Sequence, residues 1–279
     1  MKKRDFIGAN AYITGGSSGI GFAIACAMVE LGSNVLLVAR DEQKLAQAAE
    51  QLEDRKNSSG QRLDWLSLDI ADWQRVKSLL PAKVKTFGPP DILLNCAGIA
   101  YTHYFEEIDY QRFTEVIKTN LMGTWGVTRT LVQYLKERRG YIVNVSSGYG
   151  YIGSFGYTAY APSKFGIVGF SESLRLELKP FGVRISVLCP PDTDTPQLVE
   201  DRRNMLPEVQ AINGKAGIMQ PEEVAKVLIK GMIKERFMII PGFMNKIAYL
   251  LKRLAPWLIN LIMDGIVKGV QRKGEELGD

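Results

Sequence analysis

Short apolar runs alternate along this chain with longer stretches in which apolar side chains return every three or four positions. Residues 11–14, 35–39, 63–68, 92–94, 141–145, 185–189 and 237–240 read as strands, each with few internal charges. Between them, residues 20–31, 42–56, 73–87, 110–137, 160–178 and 221–235 read as helices. Strands that are apolar on both faces and alternate with helices predict an α/β fold: a Rossmann-type, doubly wound parallel sheet of about seven strands. Residues 57–60 and 88–90 read as loops, and neither an internal repeat nor a low-complexity linker is visible.

The last stretch differs in kind. Ile247, Leu250, Leu251, Leu254, Leu258, Leu261, Ile262, Gly265 and Ile266 oppose Lys246, Lys252, Arg253, Asn260, Asp264 and Lys268, an amphipathic pattern broken at Pro256. The expected organisation is a catalytic domain over residues 1–242 and a basic amphipathic extension over 243–279. The longest uncharged run, 254–263, falls well short of the roughly 20 residues a membrane-spanning helix needs. The extension is therefore expected either to lie in a membrane interface or to pack as a helical pair on the domain or on a second copy.

Charge sharpens that choice. The whole chain of 279 residues carries +5, and residues 243–273 alone carry Lys246, Lys252, Arg253, Lys268, Arg272 and Lys273 against Asp264. That local excess equals the net charge of the chain. Interleaved with Leu, Ile, Trp and Met, it points to anionic lipid rather than nucleic acid. The charged start has no hydrophobic signal core, and the three cysteines, Cys26, Cys96 and Cys189, form neither a disulfide framework nor a CxxC pair. A cytoplasmic protein, peripheral on the cytoplasmic membrane face, is expected. With one histidine, His103, no His-rich metal centre is available and none is expected; acid–base chemistry must come from other side chains.

The first strand runs into Thr14-Gly15-Gly16-Ser17-Ser18-Gly19-Ile20-Gly21 and then an apolar helix. Glycines there allow a tight turn and close approach of a pyrophosphate to a helix N-terminus. The second strand ends nineteen residues past Gly21 at Arg40, where NAD sites usually carry an acid. A guanidinium at this point can grip a 2′-phosphate, with Ser17 and Ser18 as further donors, so NADPH/NADP is the expected cofactor. Tyr160 and Lys164 are i and i+4 on a helix, so an ammonium can lie beside the phenol. That neighbour is expected to lower the tyrosine pKa and fit Tyr160 to give a proton to a carbonyl oxygen.

With Gly15, Gly19 and Gly21 in place, and Asp69, Asn95-Cys96-Ala97-Gly98, Asn120, Ser146-Ser147 and Tyr160-Ala161-Pro162-Ser163-Lys164 following in order, the chain resembles the short-chain dehydrogenase/reductase family over residues 8 to about 242. The resemblance implies Asp69 at the adenine, Asn95, Ala97 and Gly98 beside the adenosine ribose, and Thr193 at the nicotinamide carboxamide. Thr195 and Ile20 join the implied cofactor contacts. It also implies a carbonyl-binding serine thirteen residues before Tyr160, which favours Ser147 over its neighbour Ser146. Asn120 is implied to hold a water that links Lys164 to solvent. Cys96 and Cys189, flanking the site, are expected to be packing residues. Assembly as a homo-oligomer through the helices at 110–137 and 160–178 is implied as well.

Cys189-Pro190-Pro191-Asp192-Thr193-Asp194-Thr195-Pro196 departs from the family's usual Pro-Gly at its start. Together with Phe155-Gly156-Tyr157-Thr158-Ala159-Tyr160 and Ser163-Lys164-Phe165, it resembles the 3-ketodihydrosphingosine reductase branch. The expectation is reduction of a long-chain lipid ketone, 3-ketosphinganine, to its alcohol. Alternatives are a reductase of a 3-oxoacyl thioester, a steroid or another ketone, or a nucleotide-sensing protein that has lost the chemistry.

Overall fold

A computed structural model describes residues 2–203, 205–214 and 217–278, with side chains to residue 272. Seven strands, β1 (Asn10–Thr14), β2 (Asn34–Ala39), β3 (Leu63–Ser67), β4 (Ile92–Asn95), β5 (Tyr141–Val145), β6 (Arg184–Leu188) and β7 (Met238–Ile239), form one sheet. Its order is β3-β2-β1-β4-β5-β6-β7, and every pair is parallel. Parallel neighbours require crossovers, and the helices that provide them cover both faces. On one face α1 (Gly19–Glu30), α2 (Glu42–Glu53) and α9 (Pro221–Ile233) bury Ile24, Met28, Leu45, Leu52 and Leu228 against Ile13, Leu37 and Leu94. On the other, α3 (Trp73–Phe87), α5 (Thr124–Arg138) and α6 (Tyr160–Leu178) bury Val76, Leu80, Leu131, Leu135 and Leu178 against Tyr12, Leu36, Leu93 and Ile142. Successive strand residues point to opposite faces, so each strand feeds two cores.

The order reverses at β1, whose neighbours are β2 and β4. The crevice at the carboxyl ends of β1 and β4 is where such sheets bind ligands. The expected fold is the observed one, with local differences. The helix expected over 110–137 is α4 (Tyr110–Ile117), a wider π-helical stretch at Lys118–Gly123, and then α5. A π turn carries an extra residue, which re-aims the side chains on it. Two short helices escaped the sequence reading, α7 (Pro196–Arg203) and α8 (Pro207–Asn213), because neither is long enough to show a period.

The chain closes with α10 (Phe243–Leu254) and α11 (Pro256–Gly278), parted at Ala255 just before Pro256, as the sequence predicts. The extension packs on the domain. Asn245 anchors α10: its Nδ2 donates to the carbonyls of Cys189 (2.9 Å) and Pro241 (3.2 Å), and its Oδ1 accepts from Tyr151. The Tyr151 and Tyr249 rings meet edge to face at 5.1 Å. Among the described residues, no helix is long and apolar enough to cross a membrane. The side chain of Lys273, counted in the basic excess, lies outside the described residues.

Candidate active site

Gly15 is in the left-handed region (φ 67°), and a Cβ there would lie 2.8 Å from the backbone of Ala97. At Gly21 a Cβ would meet the Gly15 carbonyl oxygen at 2.2 Å. Only bare backbone lets the β1–α1 turn sit this close to β4 and to its own helix. Thr14 Oγ1 completes the join, accepting from the amides of Cys96 (3.1 Å) and Ala97 (3.2 Å). A cleft results, bordered by residues 15 and 17–21, Arg40, Asp69, residues 96–98 and Thr195, with the N-terminus of α1 opening into it.

This cleft fits a dinucleotide phosphate. Arg40 stands exposed at its rim, and Lys44 of α2 lines it too, a second cation that the sequence reading missed. The acid that follows Arg40 in sequence is committed elsewhere: Asp41 caps α2, its Oδ1 accepting from the Lys44 amide at 3.0 Å, and its other oxygen lies 3.6 Å from Lys44 Nζ. Asp69 also borders the cleft, accepting from the Ala71 amide at 2.9 Å. Asn95 does not border it. Its Nδ2 donates to Thr128 Oγ1 (2.9 Å) and Asn144 Oδ1 (2.8 Å) in the buried layer, so the expected ribose contact is corrected to a structural amide beneath the floor. Strand alternation sends that side chain inward.

A second cleft continues from the first, the two sharing Ile20, Cys96, Gly98, Val145, Thr195 and Gln197. It holds Ser147, Tyr160, Lys164 and Thr193. Thr193 is pinned by its own hydroxyl, which donates to the Pro191 carbonyl at 2.9 Å. The neighbouring serines separate cleanly. Ser146 Oγ is buried and donates to the Lys164 carbonyl at 2.9 Å, whereas Ser147 Oγ faces the Tyr160 phenol.

Lys164 is buried, its Nζ donating to the Val145 carbonyl at 3.1 Å and lying 5.5 Å from the Tyr160 ring centroid. Burial pulls its ammonium down from 10.5 to about 8. The expected lowering of the Tyr160 pKa is not what this structure gives. Burial raises the phenol well above its ordinary value, and the Ser147 hydrogen bond only partly offsets it. Desolvation of a would-be phenolate outweighs a lysine whose own charge is weakened by the same burial.

Asn120, on the π turn, is tied down on three sides. Its Oδ1 accepts from the Ile99 amide (2.8 Å), and its Nδ2 donates to the Ile99 carbonyl and to Ser163 Oγ (both 2.9 Å). It borders neither cleft but clamps the 98–99 backbone to α6. Cys96 and Cys189 are both pushed up to about 12 by burial, as packing thiols are. His103 stands apart, its Nδ1 2.6 Å from Glu107, in a loop that lines neither cleft.

Several cleft residues were not foreseen. Tyr149 and Tyr157 stack at 4.4 Å and set an aromatic wall beside Tyr160, their centroids 6.3 and 5.8 Å from its ring. Gln197 of α7 reaches into the cleft, the end of its side-chain amide within hydrogen-bond distance of the Gly98 carbonyl (3.2 Å) and the Ala100 amide (2.8 Å). Two carboxylates complete the lining, Asp192 and Asp201. Burial raises both, and Asp192 pushes Asp201 further, to about 6. No lysine or arginine forms an ion pair with either among the described residues.

A profile of the short chain dehydrogenase family matches residues 9–206. A 3-dehydrosphinganine reductase of Danio rerio is 41% identical over 232 residues, covering 82% of this chain and 70% of the relative. A 3-ketodihydrosphingosine reductase of Mus musculus is 40% identical over the same coverage. Among solved structures, a variant of actinorhodin polyketide ketoreductase crystallised with NADPH superposes with a TM-score of 0.76 at 28% identity, covering 87% of this chain and 98% of that one. A short-chain dehydrogenase from Streptomyces avermitilis has the same fold, with a TM-score of 0.77 at 24% identity over 94% of this chain and 98% of that one.

Proposed function

The chain belongs to the short-chain dehydrogenase family and is an oxidoreductase acting on a ketone or alcohol, and from that premise we propose that it reduces 3-ketosphinganine to sphinganine with NADPH. The observation that carries the substrate is the carboxylate pair Asp192 and Asp201 in one cleft with Ser147 and Tyr160. 3-Ketosphinganine bears an ammonium on the carbon next to its ketone. A cation between two acids that repel each other relieves both their burial and their mutual repulsion. A 3-oxoacyl thioester or a steroid offers no such group. The relatives from Danio rerio and Mus musculus carry this activity in their names, which supports the same reading.

When bound, NADPH would supply hydride to the carbonyl carbon, and Ile20 and Thr193 of the second cleft would hold its nicotinamide end. Residues 15, 17–21 and 96–98 would hold the rest of that cofactor, with Arg40 and Lys44 available to its 2′-phosphate. Ser147 Oγ donates to the substrate's carbonyl oxygen and keeps it against Tyr160 Oη. Tyr160 gives that oxygen its proton; raised by burial, the phenol is fully protonated at neutral pH and ready as an acid. The phenolate left behind is stabilised by the Lys164 ammonium. Asn120 positions Ile99 and Ser163 beneath these groups.

The same reading makes the protein cytoplasmic and peripheral on a membrane. Phe243, Leu250, Leu254, Trp257 and Leu261 are exposed along α10 and α11, beside Lys246 and Arg253. It also makes the protein a homo-oligomer, since Phe113, Met122, Trp125 and Phe165 leave apolar surface on the α4–α5 and α6 faces.

The deciding assay follows NADPH absorbance with 3-ketosphinganine in mixed micelles, beside a 3-oxoacyl thioester, a ketosteroid and a Tyr160→Phe control. Turnover of the sphingoid ketone alone, lost in the control, is expected. Preference for either other ketone overturns the substrate and leaves the chemistry standing.

A further inference from the structure

A third cavity opens from the catalytic cleft at Ser147, Tyr149, Pro191 and Asp192, and its character is the opposite of the cleft's. Its volume is about 300 Å³, at the lower bound of small-molecule sites. Beyond the mouth the walls are apolar: Ile212 of α8, Ala248 and Leu251 of α10, Ile259, Met263 and Ile266 of α11. Two amides line it: Asn213 at the mouth, whose Oδ1 accepts from Tyr149 beside Asp192, and Asn245, whose donors and acceptor are taken by Cys189, Pro241 and Tyr151. Nothing deep in the cavity offers ordered water several hydrogen bonds, so hydrocarbon is the occupant it favours.

The two helices that build it carry two apolar stripes, not one. Ala248 and Leu251 turn to the cavity, with Met244 at its exposed edge, while Phe243, Leu250 and Leu254 are exposed and do not line it. One stripe suffices to pack a helix pair on a domain. A second one, facing an unfilled space joined to Ser147, calls for a ligand.

We propose that this cavity is the subsite for the hydrocarbon tail of the substrate, so that α10 and α11 form part of the active site. The inference rests on the lipid-ketone reading above and deepens it. With the carbonyl at Ser147 and Tyr160 and the ammonium at Asp192, the tail leaves the cleft between Tyr149 and Pro191 and runs along Ala248 towards Met263. The aromatic wall and Pro191 bound the turn from polar head to tail, and the walls select a linear alkyl chain over a fused ring system.

The test is a chain-length series of 2-amino-3-keto-1-alcohols, from hexyl tails to the full-length base, with the full chain and with Ala248→Phe and Met263→Ala. Binding of cis-parinaric acid, read by fluorescence, runs beside it. In the wild type kcat/KM is expected to rise about fourfold for each added methylene until the cavity is full. Ala248→Phe removes that rise and weakens parinarate binding at least tenfold. Met263→Ala moves the preferred length upward. A flat length profile in the wild type, or a steep one that both variants leave unchanged, overturns the proposal. If no amino ketone is reduced, the substrate reading falls instead. Parinarate then decides the cavity alone: binding lost in Ala248→Phe upholds a hydrocarbon site, and binding equal in both proteins overturns it.

Discussion

Lys164 Nζ lies 5.5 Å from the centroid of the Tyr160 ring, one helical turn away, and burial moves the two groups in opposite directions. The phenol is raised and the ammonium is lowered to about 8, so at neutral pH the pair is a protonated acid beside a cation that loses its charge within reach of physiological pH. Tyr160→Phe removes the acid that gives the carbonyl oxygen its proton and leaves only the Ser147 hydrogen bond. Turnover is expected to fall about 10²–10⁴-fold. NADPH binding, measured by fluorescence, stays within about twofold, because the phenol makes no phosphate contact.

The pH profile separates the roles of the two residues. Because Tyr160 is protonated throughout the neutral range, kcat for ketone reduction is expected to be flat on the acid side. It falls as pH rises through about 8, where Lys164 loses the charge that stabilises the phenolate. In Lys164→Met the rate is lower at every pH and that alkaline limb is gone. Steady-state rates across the range check both; an unchanged limb in the variant assigns it to another group.

Arg40 sits at the rim of the nucleotide cleft while Asp41 is held by the Lys44 amide. Arg40→Ala is expected to raise KM for NADPH about tenfold to a hundredfold, the value of a charge-assisted hydrogen bond to phosphate. KM for NADH, which lacks that phosphate, stays unchanged or improves. Lys44→Ala shifts the same ratio in the same direction by less, since its ammonium is shared with Asp41.

Arg40 and the Tyr160–Lys164 pair were legible because their geometry is local. A glycine turn and an i,i+4 pair are set by residues close in sequence, and Tyr160–Lys164 is one of them. Ser147 was favoured by spacing, and the structure adds the reason: Ser146 turns into the core beneath α6. What stayed hidden depends on elements that meet only in three dimensions. Asp201 and Gln197 ride on α7, too short to read as a helix, and Ala248 lines the apolar cavity beside the catalytic cleft, where Asn245 ties α10 to the carbonyl after β6. Asn95 misled for a related cause, since its motif fixes its position and strand pleating fixes its direction. The phenol's shift was misjudged because burial is a tertiary quantity, and it outweighed the neighbouring charge.

Asp201 offers a test of the anionic pocket through stability. Its carboxyl titrates near 6 in the folded chain against 3.8 when exposed, so the folded state holds the extra proton between those values. Stability therefore falls as pH rises through that window, and the deficit is complete above it. Asp201→Asn removes the deficit. Discounted for the solvent that still reaches the side chain, the gain at neutral pH is about 1 kcal/mol, or about 2–4 °C in Tm. At a pH below the window the variant and the parent melt together. The same substitution is expected to raise KM for the cationic ketone, so a protein that gains stability while losing affinity ties Asp201 to the substrate's amine.

The outer stripe of α10 and α11 can be tested apart from the inner one. Phe243, Leu254 and Trp257 are exposed beside Lys246 and Arg253, a surface suited to anionic headgroups above an apolar boundary. Co-sedimentation with vesicles containing phosphatidylserine is expected to weaken with rising salt, because each cation near such a surface contributes about 1 kcal/mol that ions screen. Lys246→Glu with Arg253→Glu is expected to abolish binding at moderate salt, and Trp257→Asp to weaken it at every salt concentration. All three side chains point away from the cavity, so turnover of a ketone presented in micelles stays at the parent level. Vesicle binding that neither variant changes would assign the membrane contact to another face and leave the outer stripe to a second copy of the chain.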